Sequence, residues 1–195
     1  MIASEDEVTP HGGDRRHSLI LAAFHTIARR GFEGLRVREV AAQVGINSAT
    51  LHHYFPTKEE LIQAVAAYAI QRLAFTTHAP EGTPRDLLRA HLTLLHQQMQ
   101  HEPALFVVLT EIRLRAQRTS AIQHFVQERQ ANWHEQLVAI LEAGVQQGQW
   151  PPDLAVEDVA SAIITFIEGA SLGAVSHPRR VEQAFSQLVR WLAIE

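Results

Sequence analysis

The sequence predicts an all-α protein with about nine helices. Apolar residues recur three and four positions apart along most of the chain, which is the spacing of one helix face. No run of alternating β-branched residues predicts a strand. Prolines and glycines lie mainly between the periodic segments, where helices begin and end. With 195 residues, the chain can form one long domain or a small domain joined to a larger one.

The first part of the chain predicts a tail and three helices. Residues 1–13 are acidic and polar and are expected to be disordered. Asp14 is the expected cap of the first helix, and Gly31 is expected to end it. The next two helices are predicted over about 37–44 and about 48–55, with Gly45 between them and Pro56 after them.

The remainder predicts six helices. Thr57-Lys58-Glu59-Glu60 is a capping-box pattern that opens a helix to about Thr77. Residues 79–84 form the clearest linker, in which Thr83 is the expected cap and Pro84 the first residue of the next helix. The later helices are expected from Pro103, from about Ala121 to Gln147, and over about 156–176 and 179–194.

Composition excludes several classes of protein. The chain has no cysteine, so disulfides and cysteine-ligated metal sites are excluded. The N-terminus lacks a secretory signal pattern, and the most apolar stretch, 159–175, is short for a membrane span and contains Glu168. A cytoplasmic protein that does not enter a membrane is therefore expected.

Charge is distributed unevenly along the chain. Residues 15–58 contain seven basic and two acidic residues, a net charge of +5, so the rest carries −9 to give the overall −4. A basic N-terminal quarter on an acidic body is typical of a nucleic-acid-binding module, although a solvated charged face gives the same count.

The segment VREVAAQVGINSATLHHY, residues 37–54, has the pattern of a helix-turn-helix. Small Ala41 allows two helices to cross closely, and Gly45 permits the sharp turn between them. The apolar residues that seal the pair are Val40, Val44, Ile46, Leu51 and Tyr54.

Over residues 15–65, the chain resembles the DNA-binding domain of the TetR family of transcriptional repressors. The resemblance rests on GFEGLRVREVAAQVGINSATLHHYFPTKEEL, which contains a glycine, an aromatic residue, the helix pair, Tyr54-Phe55, Pro56 and Lys58 in order. It implies residues 14–56 as a helix-turn-helix DNA-binding domain and residues 57–195 as an effector-binding and dimerisation domain. It also implies a homodimeric repressor that binds a pseudo-palindromic operator and responds to a small effector.

The resemblance implies roles for individual residues. Lys58, the only lysine, is the expected phosphate ligand, and Asn47 or Ser48 caps the recognition helix. The candidates for base edges are Ser48, Thr50 and His53, those for backbone contacts are His52 and Tyr54, and Arg38 is expected to reach a phosphate or a base.

Two residues depart from the family pattern, and several have simpler interpretations. Arg36 stands where a Thr or Ser cap is common, and His52 stands where a tyrosine is common. Tyr54 also fits a core position, and adjacent histidines are usually a polar surface.

Other classes of function have less support. The twelve histidines include no pair three or four positions apart, and neither a di-iron motif nor a glycine-rich phosphate loop occurs. We therefore predict no enzyme, no metal and no cofactor. The alternative is an all-helical structural or interaction protein that does not bind DNA.

Two sites are expected in the second domain. An effector pocket for a largely apolar molecule is predicted around the seam of the longest helix, with the lining residues His96, Met99, Phe106, Glu111, Phe125, Arg129, Gln130, Trp133, His134 and Phe166. The last two helices have wide apolar faces, and the family pairs them with their copies in a dimer. The expected interface residues are Ile163, Ile167, Ala170, Val181, Phe185, Leu188 and Leu192.

Overall fold

The computed structural model describes residues 12–74 and 82–193, and this part of the chain contains nine helices and no strand. The predicted all-α fold is confirmed. The helices are α1 (Gly12–Arg30), α2 (Val37–Gln43), α3 (Ser48–Tyr54), α4 (Lys58–Ala74), α5 (Pro84–His101), α6 (Pro103–Ala116), α7 (Ser120–Gln146), α8 (Val156–Gly173) and α9 (Pro178–Trp191).

The chain divides into two compact units between Tyr68 and Ala69, inside α4. This division lies later than the predicted one after residue 56, because the first turns of α4 pack with the first unit. Leu61, Ile62 and Val65 are fully buried, and the Tyr68 ring meets Phe24 edge-on with centroids 5.5 Å apart.

Three predicted helix ends differ from the structure. α1 begins at Gly12, so residues 12 and 13 are helical rather than part of a tail, and Asp14 lies in the first turn instead of capping the helix. The rest of the predicted tail and the predicted end of α4 near Thr77 lie outside the described residues. α8 ends at Gly173 and α9 ends at Trp191, earlier than the predicted residues 176 and 194.

The predicted caps of α4 and α5 are both present in the structure. The Thr57 hydroxyl accepts a hydrogen bond from the Glu60 amide at 3.1 Å, which satisfies one of the exposed amides at the start of α4. At α5, Thr83 and Asp86 form a complete capping box, and Pro84 occupies the first helical turn.

In the second unit, α7 packs against α5, α6 and α8. Its apolar residues Ile122, Leu137 and Leu141 are buried at helical spacing. α9 packs against α5 and α8. The core of this unit is therefore built around the longest helix of the described chain.

Trp150 lies shortly after the end of α7 and contacts residues of two other helical segments. Its indole Nε1 donates to the Leu192 carbonyl at 2.9 Å, just after α9, and the Arg85 guanidinium at the start of α5 lies 5.8 Å from its ring centroid. A Cβ on Gly144 would lie 2.0 Å from Trp150 Cζ3, so only glycine leaves room for the indole.

We expect Gly144→Ala to destabilise the protein by about 1–3 kcal/mol, because the added methyl overlaps the Trp150 ring. The measurement is the free energy of unfolding in urea. In a Trp150→Leu background, the shorter side chain leaves space, so the cost of Gly144→Ala should fall below about 1 kcal/mol. An equal cost in both backgrounds would show that the overlap with Trp150 is not the cause.

Candidate DNA-binding surface and ligand cavity

The turn between α2 and α3 is defined by backbone bonds and one small residue. The Ala41 carbonyl accepts from the Val44 amide at 3.1 Å and from the Ile46 amide at 3.0 Å. Gly45 has a φ of +72°, a conformation that residues with a side chain rarely adopt. Val40, Ala41 and Leu51 are buried. These contacts form the helix-turn-helix predicted from the sequence.

Asn47 caps the recognition helix α3. Its Oδ1 accepts from the Thr50 amide at 2.8 Å and from the Thr50 hydroxyl at 3.1 Å. Of the two predicted caps, Asn47 rather than Ser48 fills the position. Because the Thr50 hydroxyl proton is used in this bond, Thr50 offers its methyl group or an oxygen lone pair to a base.

The two histidines of α3 are both exposed but differ in their bonding. His52 Nδ1 lies 3.1 Å from the Pro56 carbonyl. A carbonyl only accepts, so Nδ1 carries a proton, and in the neutral ring Nε2 is then an acceptor. A neutral His52 therefore cannot donate to a phosphate through Nε2. The side chain of His53, next to it, is exposed to solvent.

Basic side chains surround this helix pair. Lys58 is the first residue of α4. Its Nζ lies 3.5 Å from the Phe32 carbonyl. Arg15 Nη1 donates to the Val44 carbonyl at 3.1 Å, so Arg15 ties α1 to the end of α2. The Arg16 guanidinium lies 4.8 Å from the centroid of the buried Phe55 ring.

The remaining residues predicted to contact DNA are accessible, and one further residue of α3 is exposed beside them. Arg38 is exposed on α2, whereas Ser48 and Tyr54 are half-buried. Ala49, which the sequence analysis did not single out, is exposed three residues before His52 and so shares its helix face. The spacing from His52 predicts that Ala49 is exposed, but alanine has no polar group that would suggest a DNA contact.

A cavity of about 440 Å³ lies in the second unit. It is lined mainly by apolar and aromatic side chains from α4 to α8, and this volume suits a drug-sized molecule. Trp133 Nε1 donates to His91 Nε2 at 2.9 Å across the α5–α7 side of the cavity. The polar lining includes Arg113 on α6 and Glu168 on α8, whose Nε and Oε1 atoms are 3.4 Å apart.

The cavity contains four of the ten predicted lining residues, and these are Phe106, Arg129, Gln130 and Trp133. The other six do not line it, and these are His96, Met99, Glu111, Phe125, His134 and Phe166. Met99 is buried in the core, and His134 lies beside α8, with Nε2 3.1 Å from the Ser161 hydroxyl. The prediction missed Arg113 and Glu168, because a charged pair joining two distant helices has no local spacing.

His96 belongs to a different part of the unit. Its ring stacks on Phe185 of α9 with centroids 4.6 Å apart and planes 16° apart. Burial lowers the pKa of His96 below its ordinary value of 6.5, and the negative charge of Glu182 acts in the opposite direction.

The predicted dimer residues lie mostly in the core of the single chain. Ile163, Ile167, Val181, Phe185 and Leu188 are all buried there, so they have almost no surface to offer a partner. Ala170 and Leu192 are half-buried. The exposed apolar residues on or next to these helices are instead Leu172, Val175 and Trp191, which are 66%, 60% and 74% exposed.

A basic helix-turn-helix unit followed by a helical unit with an apolar cavity defines a class of DNA-binding regulator. The family model described as bacterial regulatory proteins, tetR family, matches residues 19–65. A second model, described as BetI-type transcriptional repressor, C-terminal, matches residues 84–193. The chain belongs to the TetR family of transcriptional regulators and is a DNA-binding transcriptional repressor.

Curated relatives are similar along most of their length. The nicotine-responsive transcriptional repressor HdnoR of Paenarthrobacter nicotinovorans is 27% identical over 168 residues, which cover 85% of this chain and 86% of the relative. The transcriptional repressor KstR2 of Mycobacterium tuberculosis is 26% identical over 158 residues, covering 78% of this chain and 77% of the relative.

Solved structures share the fold. A TetR transcription regulator from Haloarcula marismortui superposes with a TM-score of 0.79 at 24% identity, covering 93% of this chain and 97% of the other. A TetR regulator from Chloroflexus aurantiacus superposes with a TM-score of 0.81 at 20% identity, covering 93% and 96%. Within residues 12–74 and 82–193, no helix combines the length and the apolar character needed to cross a membrane.

We expect stability to depend on pH through His96. Because its pKa is lowered in the folded chain, the unfolded chain binds more protons when the pH drops below the ordinary value, and acid then favours unfolding. The free energy of unfolding should therefore decrease from about pH 7.5 to about pH 5.5, and it should decrease less in His96→Asn. Urea titrations at both pH values measure this difference. An identical decrease in both proteins would contradict the assignment.

Proposed function

We propose that this repressor binds a pseudo-palindromic operator as a homodimer and is released by a small, largely apolar effector. The observation that carries the effector part is the apolar cavity of about 440 Å³ in the second unit. The nicotine-responsive relative supports a response to a small molecule. Because operator DNA is the partner, we place the protein in the cytoplasm.

In this proposal, the first unit binds DNA through α3 and the start of α4. Lys58 leaves its long contact with the Phe32 carbonyl and binds a phosphate, helped by the positive end of α4. His53 reads a base edge, while Ala49 and the Thr50 methyl offer apolar contacts to thymine. Arg38, Ser48, His52 and Tyr54 complete the surface, and Asn47 acts through the helix cap.

Dimerisation is proposed on the outer face of α8 and the end of α9. Ala162, Thr165, Gly169 and Leu172 are exposed at three- and four-residue spacing, so they form one stripe on α8. A Cβ on Gly169 would meet no atom of the chain within 4 Å, so this stripe is open to a partner helix. We propose this stripe and the exposed Trp191 as the interface, because most of the residues predicted from the sequence are buried within the chain.

The proposed route from effector to operator is helix α4. It begins with Lys58 in the first unit, and its residues Ile70 and Leu73 line the cavity in the second. An effector that favours a different position of this end of α4 shifts the repressor away from its DNA-binding conformation. Conversion from almost fully competent to almost fully incompetent needs roughly 10⁴-fold preference for one state, about 5.5 kcal/mol.

The roles of Lys58 and His53 are separable by experiment. If the dimer neutralises about six phosphates, the logarithm of affinity should fall with the logarithm of salt concentration at a slope of about −5. Lys58→Ala should weaken binding to every sequence and reduce this slope by about two units, because the dimer contains two copies of Lys58. His53→Ala should instead change base preference at one half-site position by about 1–3 kcal/mol. Fluorescence anisotropy across salt concentrations and selection from a random duplex library measure the two effects.

Arg29→Ala is the charge-matched control, since it removes a positive charge from an exposed position at the end of α1. We expect this variant to keep the wild-type slope. Salt-independent binding by the wild-type protein would contradict operator recognition. A changed base preference in Lys58→Ala would contradict its role as a phosphate ligand.

The dimer surface is tested by placing a charge on it. Leu172→Arg should shift the protein from dimer to monomer, because a buried unpaired guanidinium is costly at an apolar interface. Leu114→Arg on α6 is the matched control, since Leu114 is also exposed, at 56%, but lies outside this stripe. Light scattering after size-exclusion chromatography gives the two masses. A dimer in both variants would place the interface elsewhere.

A further inference from the structure

Four charged side chains line the cavity, and these are Arg113, Arg129, Glu135 and Glu168. Arg129 and Glu135 are exposed on α7, whereas Arg113 and Glu168 form a half-buried pair with long contacts. The Arg113 side chain, on α6, is 29% exposed and the Glu168 side chain, on α8, is 32% exposed. Arg113 Nε lies 3.4 Å from Glu168 Oε1, and Arg113 Nη1 lies 3.4 Å from the Ser171 hydroxyl. Charge-assisted bonds between nitrogen and a carboxylate are normally about 2.7–2.9 Å long. Both contacts of the guanidinium are therefore long.

Neighbouring groups do not fully balance the positive charge of Arg113. The Ser171 hydroxyl donates its proton to the Glu168 carbonyl at 2.7 Å, so it offers Arg113 only a neutral acceptor. Burial lowers the pKa of Arg113, and this effect outweighs the opposing effect of Glu168. The guanidinium would therefore gain from additional negative charge in the cavity.

The α6 wall beside Arg113 and the Trp133 ring favour an aromatic or otherwise apolar body. Phe106, Leu109 and Ile112 on α6 lie on its wall near Arg113. The Trp133 indole N–H already donates to His91, so Trp133 presents ring surface instead of a donor. A ligand body that packs against the α6 wall and the Trp133 ring needs no polar group on that side.

We infer that the cavity takes a hydrophobic monocarboxylate, whose carboxylate binds the Arg113 guanidinium while its apolar body packs against Phe106 and Trp133. A guanidinium presents parallel N–H donors that match the two oxygens of a carboxylate. At this end of the cavity, a cationic molecule would instead have to compete with Arg113 for Glu168. This inference rests on the proposed function, because it names the chemical class of the effector.

Three matched probes test the charge preference directly. They are 4-biphenylacetate, 2-(4-biphenyl)ethanol and 2-(4-biphenyl)ethylamine, which share an apolar body and carry a negative, a neutral and a positive head group at neutral pH. Calorimetric titration of the full chain without DNA should rank them carboxylate, alcohol, amine from tightest to weakest. We expect at least about tenfold between the first and the last, since a hydrogen bond to a charged group is worth about that much. A ranking led by the amine, or three equal affinities, would overturn the inference.

Variants of the charged pair have opposite expected effects. Arg113→Gln should weaken binding of 4-biphenylacetate by about tenfold or more, and Glu168→Gln should strengthen it by about threefold or more, because a competing carboxylate is removed. Arg113→Lys keeps the charge but loses the paired donors, so its affinity should lie between wild type and Arg113→Gln.

The controls are Arg118→Gln and Glu128→Gln, both exposed and outside the cavity lining. Unfolding curves show which variants are folded, and the wild-type ranking decides the question even where Arg113→Gln is unfolded.

Operator release is measured separately, by anisotropy of labelled operator DNA with each probe added. A carboxylate preference together with release of operator supports both the inference and the proposed function. A carboxylate preference without release supports the inference about the cavity and contradicts its proposed role as the switch. Release by the amine alone keeps the switch and overturns the carboxylate assignment.

Discussion

The DNA-binding unit depends on the turn that joins α2 to α3. Ala41 supplies both the close approach of the two helices and the carbonyl that accepts the Val44 and Ile46 amides. A larger side chain at this buried position would separate the helices, and a residue with a side chain at Gly45 would strain the turn. The Asn47 cap then starts α3. The direction of the recognition helix, and hence the exposure of His52 and His53, follows from these local constraints.

The helices of the second unit pack around a cavity of about 440 Å³. Helix α7 packs against three neighbours, and side-chain contacts link the helices that line the space. Trp133 bonds to His91 across α5 and α7, and Arg113 contacts Glu168 across α6 and α8. Each bond joins helices that are distant in sequence, so the cavity is a property of the assembled unit. Under the proposed function, the charged side chains of this lining select the head group of a ligand, and the apolar walls select its body.

Local patterns explain why the fold was predictable. Helix periodicity, Pro84, Thr83 and the Ala41–Gly45 spacing each act within a few residues, so their effects are visible in one sequence. The choice between the two possible caps of α3 depended on bond geometry, which placed Asn47 rather than Ser48 at that position. The roles of Lys58 and the α3 side chains at DNA remain predictions carried by the family resemblance, although the structure shows which atoms are already used.

The sequence by itself determined the helical class, the helix-turn-helix and the approximate limits of most helices, because backbone propensity, capping and apolar spacing are short-range effects. Only the tertiary structure decided which apolar residues of α8 and α9 are used internally, since a helix can have two apolar faces and the pattern does not say which one meets the core. It buried Phe185 in the core of the chain and left Leu172 and Trp191 exposed. It also brought Arg113 close to Glu168, which is 55 positions away in the sequence. No local rule predicts this contact, because the contact depends on how α6 and α8 pack.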